Sequence, residues 1–408
     1  MQKTTQIWIK RETEDAMRQA ARQFRVVVVT GPRQTGKTSL VRTVFEKSGY
    51  SYVSFDDPGL AEAAESRPDD FFRLHPPPIC IDEIQYAPGL TRHIKRFVDE
   101  DNEARGQFIL TGSQPFQLLD STAESLAGRA AIFRLLGLSA REWIGSEASE
   151  GQTPWDFIWR GGLPELWAPA EPISRDRMYA NYIRTYLERD VRRMLRVGNL
   201  KDFNRLMRVF ASRIGQTLNI SDAARDIGVS TTTANDWAGV LVESGVILLL
   251  EPFYSSLGKR IAKRPKLYFL DSGLAAFLNN FQSPAALSSS NMAGAFWENH
   301  VVNQWVRRKE WDDQPLGLYF WRDQSGNEVD LLLEKDGKLH LVECKLTQNP
   351  GKADVRGIRK CQSFFGIDRI GLSYVACNTS TPYDIETGVT AINGFLNWEL
   401  PSENQVNE

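Results

Sequence analysis

The stretch Gly31-Pro32-Arg33-Gln34-Thr35-Gly36-Lys37-Thr38 constrains this chain more than any other. Its spacing is G-x-x-x-x-G-K-T. It follows a β-branched run, Val26 to Val29, that ends at Thr30, and it precedes an amphipathic stretch from Ser39 to Phe45. Strand, glycine loop and helix in that order form the context in which the pattern makes a phosphate cradle. Glycines let the backbone curl so that successive N–H groups point at an anion. The helix that follows presents its positive end to the same place. Residues 31 to 39, Ser39 included, are therefore the candidate nucleotide-binding set. Lys37 is expected to reach the β- and γ-phosphates of ATP, and the Thr38 hydroxyl to hold Mg²⁺. A glycine turn that happened to end in Lys-Thr would need neither the strand nor the helix.

The totals narrow the classes. A length of 408 residues suggests two to four domains. With 42% hydrophobic and 25% charged residues, the chain has a globular profile. The formal net charge of −2 excludes a global basic field, so any nucleic-acid contact must be a local patch. Cysteines at 80, 344, 361 and 377 form no C-x-x-C pair, which suggests reduced thiols in a cytosol. No apolar run approaches the roughly 18–20 residues that span a bilayer, and no signal peptide is evident. The expectation is a cytoplasmic protein with no membrane segment.

Residues 7 to 24 read as a helix, and residues 50 to 55 as an alternating strand followed by Asp56-Asp57-Pro58. Pro78-Ile-Cys-Ile-Asp82-Glu83-Ile-Gln85 is a buried apolar strand that ends in two carboxylates, a Walker B arrangement. Asp82 suits Mg²⁺, usually through water, and Glu83 suits the base that polarises the attacking water. Phe108 to Thr111, then Gly112 and Ser113, is a strand that ends in hydroxyl residues. Thr111 or Ser113 fits a polar sensor of the γ-phosphate; an ordinary strand-to-turn exit has the same composition. Arg129 is either an arginine finger, acting in cis or in trans, or a surface arginine.

Taken together, these segments resemble one family. Gly31 to Thr38, Asp56-Asp57-Pro58, Ile81 to Gln85, Leu110-Thr-Gly-Ser113 and Ser125-Leu-Ala-Gly-Arg129 are similar to the prokaryotic AAA-type P-loop ATPases that carry a C-terminal domain of unknown function. The likeness continues through Tyr186-Leu-Glu-Arg-Asp190 and Phe269-Leu-Asp-Ser-Gly273. The resemblance implies an ATPase core, a winged-helix segment and a nuclease-like C-terminal fold. By the same analogy, a ring-like homo-oligomer is expected.

Residues 145 to 160 read as a polar linker, and 175 to 210 as helices dense in arginine. Those helices either are laced by i,i+4 pairs such as Glu188 with Arg192 or contact phosphates, with Arg189, Arg192 and Arg193 as nucleotide-sensor candidates. Ser221 reads as the cap of one helix, Gly228 as its break and Ser230 as the cap of the next, with 231 to 243 as the second helix. With the strand that follows, this is a winged helix-turn-helix pattern. Its candidate recognition helix carries no Lys or Arg, which argues against base readout. Lys259, Arg260, Lys263, Arg264 and Lys266 instead offer a basic wing for a DNA backbone. A winged helix that only packs domains together is the alternative.

Residues 283 to 293 read as a Ser-rich loop, and 295 to 305 as an amphipathic helix that carries Glu298. Two hairpin strands then present Asp330 and Glu343, with Lys345 on the same face as Glu343 because strand side chains alternate. The set is similar to the PD-(D/E)XK nuclease pattern. Glu298, Asp330 and Glu343 are the expected ligands of a second Mg²⁺ or Mn²⁺, and Lys345 the group that orients water or steadies phosphate charge.

The expected fold is α/β: a parallel P-loop AAA-type sheet with helical lid, a winged helix-turn-helix, and a mixed αβ PD-(D/E)XK-like C-terminal domain. The boundaries are 1–145 for the ATPase core, 146–208 for lid and linker, 209–266 for the winged helix and 267–400 for the nuclease-like domain. The expected activity is ATP hydrolysis coupled to DNA, as motor or switch, with or without metal-dependent nuclease chemistry. The alternative is an ATP-gated switch for a protein partner, with the nuclease-like domain as a docking surface.

Overall fold

The computed structural model describes residues 8–101, 103–112, 126–167, 173–187, 200–253, 264–312, 315–396 and 400. The chain packs as two compact units. One comprises Met1–Leu138, Leu163–Ala170 and Glu243–Gly245; the other comprises Ser139–Gly162, Glu171–Val242 and Val246–Glu408. Most of the segments expected as lid, helix-turn-helix and C-terminal domain thus share one unit.

The first unit is built on five strands: β1 (Val26–Thr30), β2 (Ser51–Ser54), β3 (Ile79–Asp82), β4 (Phe108–Thr111) and β5 (Ala130–Arg134). All neighbours are parallel, in the order β2-β3-β4-β1-β5. Every residue of β1, β3 and β4 is buried, as expected of strands covered on both faces. Alternation assigns Val26, Val28, Ile79, Ile81, Phe108 and Leu110 to one core. Helices α3 (Pro58–Ser66), α4 (Pro68–Leu74) and α5 (Leu90–Glu100) cover it with Ala61, Ala64, Phe71, Phe72, Ile94 and Val98. Two further helices are α1 (Thr13–Gln23) and α2 (Lys37–Val44). Helix α1 starts later than its periodicity suggests, because Arg11 turns into the protein as described below. In a parallel sheet the carboxyl ends share one edge. That edge carries the glycine loop, Asp82 and Thr111.

The second unit opens with α6 (Ala140–Ile144) and α7 (Pro154–Arg160). The stretch expected as a linker is therefore folded. A Thr153/Asp156 capping box starts α7, whose Phe157 and Ile158 are buried. Next come α8 (Arg175–Tyr182), a π turn (Ile183–Leu187), α9 (Leu200–Ser212), α10 (Ile220–Ile227) and α11 (Thr231–Glu243). The first residue of α10 is Ile220, so Ser221 lies inside the helix and is not its cap. Ser230 does cap α11, accepting from the Thr233 N–H at 3.0 Å. An antiparallel pair follows, β6 (Ile247–Leu250) and β7 (Lys266–Phe269), with Thr217 bridged to Lys266.

Helices α12 (Ser272–Leu278) and α13 (Pro284–Ser288) precede α14 (Ala293–Lys309). Helix α13 occupies ground expected as loop, and Ser283 caps it. Helix α14 is not amphipathic. Phe296, Trp297, Val301, Val302 and Trp305 are buried together with Asn299, His300, Asn303 and Gln304. Those polar side chains are bonded, for example Asn299 Oδ1 from Phe269 N–H at 2.8 Å and Gln304 Oε1 from Ala140 N–H at 2.9 Å.

Around this helix lies a mixed sheet of β8 (Gly317–Arg322), β9 (Glu328–Lys335), β10 (Lys338–Cys344), β11 (Ile370–Cys377), β12 (Tyr383–Glu386) and β13 (Val389–Asn393). Its order is β12-β13-β11-β10-β9-β8. The β9–β10 hairpin turns through Asp336 and Gly337, both with positive φ, as a tight twisted turn requires. Helix α15 (Arg356–Phe365) completes the unit.

Candidate active site

The glycine loop owes its path to three left-handed or otherwise positive-φ residues: Gly31 at 137°, Gln34 at 64° and Gly36 at 88°. At Gly31 a Cβ would lie 2.2 Å from the Leu135 carbonyl oxygen, so a side chain there is excluded. Thr35 Oγ1 donates to Pro32 O at 2.9 Å and ties the loop to itself. Pro32 and Thr35 are buried, Arg33, Gln34 and Thr38 half-buried, and Ser39 exposed. Lys37 is buried, and its ammonium donates to Gly31 O at 3.0 Å and Pro32 O at 2.7 Å. Burial pushes its pKa down to about 8, against the pull of Glu83 and Asp82.

A residue that sequence reasoning missed braces this loop. Buried Arg11 donates from Nη1 to Thr35 O at 2.9 Å and from Nη2 to Leu136 O at 2.7 Å. One guanidinium thereby joins the loop to the segment after β5. Glu14 Oε1 accepts the Arg11 backbone N–H at 2.9 Å and Trp8 Nε1–H at 3.1 Å, which fixes the entry of α1.

Asp82 is the hub of the acidic side. Its Oδ2 accepts Thr38 Oγ1–H at 2.8 Å and Tyr52 O–H at 2.7 Å, and its Oδ1 accepts the Thr111 hydroxyl. Thr111 also accepts the Glu83 N–H at 3.3 Å, so one hydroxyl on β4 joins Asp82 at the end of β3 and Glu83 just after it. Glu83 has φ of 56°, left-handed for a non-glycine residue, which sets its side chain apart from that of Asp82. The Gln85 amide donates to Glu83 Oε2. Asp56 is raised by burial first and then by the charges of Glu83 and Asp82. A hydroxyl and a carboxylate oxygen 2.8 Å apart, beside a buried ammonium, are hard oxygen donors of the kind Mg²⁺ takes with a phosphate ligand. The donor set therefore fits Mg²⁺ and a nucleotide.

Arg129 requires a correction. It precedes β5, and its carbonyl accepts the Val26 N–H at the start of β1. It therefore lies at the amino edge of the sheet, opposite the loop. Its guanidinium is forked onto Asp99, Nε to Oδ1 at 2.5 Å and Nη2 to Oδ2 at 2.9 Å. It is not a finger for its own chain's phosphates. Ser113, Arg189, Arg192, Arg193, Lys259, Arg260 and Lys263 lie outside the described residues.

The C-terminal acids are also read differently in the structure. Lys266, expected on a basic wing, is 3% exposed. Its ammonium donates to Glu298 Oε1 at 2.8 Å and Asp330 Oδ1 at 3.0 Å and pairs with Glu328. Tyr268 O–H adds a 2.6 Å bond to Glu298 Oε1. Asp330 Oδ2 accepts the Cys344 N–H at 3.0 Å, and Lys345 donates to Glu343 Oε1 at 2.7 Å. Among the described residues no three His, Cys, Asp or Glu side chains are grouped to hold a metal ion. The structure does not show Glu298, Asp330 and Glu343 as metal ligands: Lys266 is paired with Glu298 and Asp330, and Lys345 with Glu343. Burial, then Asp330, pushes Glu298 up to about 7 and Glu343 up to about 8, while Lys266 is held well above its ordinary range by its acidic neighbours.

Loop, acid hub and hydroxyl strand on a parallel sheet define a P-loop ATPase of the AAA type, and residues 23–144 match the family described as "AAA domain". Residues 152–285 and 293–394 match two families described as domains of unknown function, DUF8612 and DUF4143. The chain belongs to the family of two uncharacterized mycobacterial proteins, Rv2008c of Mycobacterium tuberculosis and Mb2031c of Mycobacterium bovis. Each is 31% identical over 375 residues, 90% of this chain and 80% of the relative. It is an ATP-hydrolysing enzyme. Among solved structures, the Walker-type ATPase PABY2304 of Pyrococcus abyssi is similar at 15% identity and a TM-score of 0.43, covering 67% of this chain and 96% of that one. The Thermotoga maritima RuvB Holliday junction branch migration motor is similar at 15% identity and a TM-score of 0.30, covering 59% and 90%. Among the described residues, no helix is long and apolar enough to cross a membrane.

Proposed function

We propose that this ATPase is a switch whose output is a binding event on DNA rather than metal-dependent cleavage. The observation that carries this reading is the Lys266 ammonium among Glu298, Glu328 and Asp330. One ammonium offsets part of the charge of these carboxylates from within the chain, and the fold around them serves as a platform. In the ATPase unit, Lys37 steadies the phosphates, Thr38 and Asp82 hold Mg²⁺, and Glu83 orients and deprotonates the attacking water. Thr111, bonded to the Asp82 carboxylate and to the Glu83 N–H, is the polar sensor of the γ-phosphate in this reading.

The segment α9–α10–α11 with the β6–β7 pair has the order of a winged helix. Arg264, with the cations of 259–263, supplies phosphate contacts for which affinity falls with salt. Arg129 is turned onto Asp99, and the working form in this reading is a homo-oligomer in which a neighbouring copy supplies the transition-state cation. The free thiols of Cys80, Cys344, Cys361 and Cys377 suit a cytoplasmic setting. ATPase rates measured with single-stranded, duplex and branched DNA, each at low and high salt, test the proposal. Stimulation that fades with salt is expected.

The second reading, a switch for a protein partner, is favoured by α11. Its exposed residues are Thr231, Thr232, Asn235 and Asp236, without a cation. No stimulation by any DNA at low salt selects it.

A further inference from the structure

Tyr52 has no assigned role in the reaction, yet it touches the acid on which the metal depends. A carboxylate has about four lone-pair positions. Tyr52 and Thr38 donate to Asp82 Oδ2, at 2.7 Å and 2.8 Å, and Thr111 donates to Oδ1. One position, on Oδ1, is left for a water of the metal shell. We propose that Tyr52 is a positioning residue of the ATPase: its hydroxyl fixes the rotation of the Asp82 carboxylate, so that a single oxygen lone pair faces the metal shell.

The geometry supports a dedicated support rather than incidental packing. Tyr52 lies on edge strand β2, in register with Cys80 of β3, two residues before Asp82. Its ring is seated under the Arg42 guanidinium at 4.9 Å, and Arg42 is itself tied to Glu46 at 2.7 Å. The hydroxyl is therefore held from α2, the helix that begins with Lys37 and Thr38. The torsion of a carboxylate about its last bond is otherwise broad and two-fold. Without Tyr52 the carboxylate has an open position on each oxygen and is held by Thr38 and Thr111 alone. Outer partners of this kind typically change metal affinity about 10- to 100-fold.

The test is Tyr52→Phe, which keeps the ring and the Arg42 contact and removes only the hydroxyl. Mn²⁺ is the probe, titrated into the full chain with ADP and followed by the loss of the free-ion electron paramagnetic resonance signal. The expected result is Mn²⁺ binding about tenfold weaker, with ADP affinity in excess chelator unchanged and the thermal melt within a few degrees of wild type. Mn²⁺ binding within twofold of wild type overturns the proposal. So does a parallel loss of metal-free ADP binding, which would make Tyr52 a general structural support. Should Tyr52→Phe fail to fold, Arg42→Met unseats the ring while leaving the hydroxyl in place. A shift of Mn²⁺ affinity in the same direction supports the proposal, and none overturns it.

Discussion

Lys266→Met removes the charge at the centre of the C-terminal acid cluster while keeping a side chain of similar length. The ammonium is 3% exposed, Glu298 15% and Asp330 12%. Breaking a buried ion set by deleting one partner costs about 3–5 kcal/mol, because the remaining charges stay buried. Glu328, 25% exposed, adds little to that. The penalty depends on pH in a definite direction. Folded Glu298 titrates at about 7, above its ordinary value of 4.5. Its favourable contribution is therefore present below pH 4.5 and is lost as pH rises through 7. Lys266 holds that value down, so the variant carries it higher still. Each pH unit of protonation then returns about 1.4 kcal/mol. The variant is expected to melt about 6–20 °C below wild type at pH 8 and less than half as far below at pH 5.5. Near-ultraviolet circular dichroism melts of the full chain at both pH values measure this. Co-melting with wild type, or a deficit that ignores pH, refutes the reasoning.

Glu83→Gln is expected to bind ATP normally and to lose about 10²- to 10⁴-fold in turnover, read by phosphate release; near-normal turnover removes Glu83 from the base role. Arg11→Met strands the buried carbonyls of Thr35 and Leu136. It should cost about 1–3 kcal/mol of stability and weaken ATP binding in a fluorescent-nucleotide titration. Unchanged binding would reduce Arg11 to packing. Arg129→Ala should leave the ATPase rate of the dilute, non-assembled chain within about twofold of wild type, because its partner is Asp99 at the far sheet edge. A loss at the scale of an arginine finger, about 10³-fold, would contradict that placement.

What could be read in the sequence was local. The glycine loop, the Asp82-Glu83 strand end and the Thr111 strand exit each depend on spacing within a few residues, and β3 and β4 lie side by side as their endings suggest. The capping box at Thr153 and Asp156 was also there to be read, and the polar composition around it hid the helix. Other features depend on distance along the chain. Lys266 sits in a run of cations, and nothing nearby announces carboxylates 32 and 64 residues away. Arg11 meets a carbonyl 125 residues on. Tyr52 meets Asp82 only because β2 pairs with β3 in one register. Helix α14 mixes apolar and polar residues and so reads as amphipathic, yet its amides are buried, with partners offered by β7 and α6.

The measurement that bears most directly on the central claim is ATP turnover and ATP binding by Lys37→Ala beside the wild type. With Lys37 as the buried cation of the loop, phosphate release falls to background in the variant while the wild type hydrolyses ATP in the presence of Mg²⁺. Equal turnover by the two proteins would contradict the account.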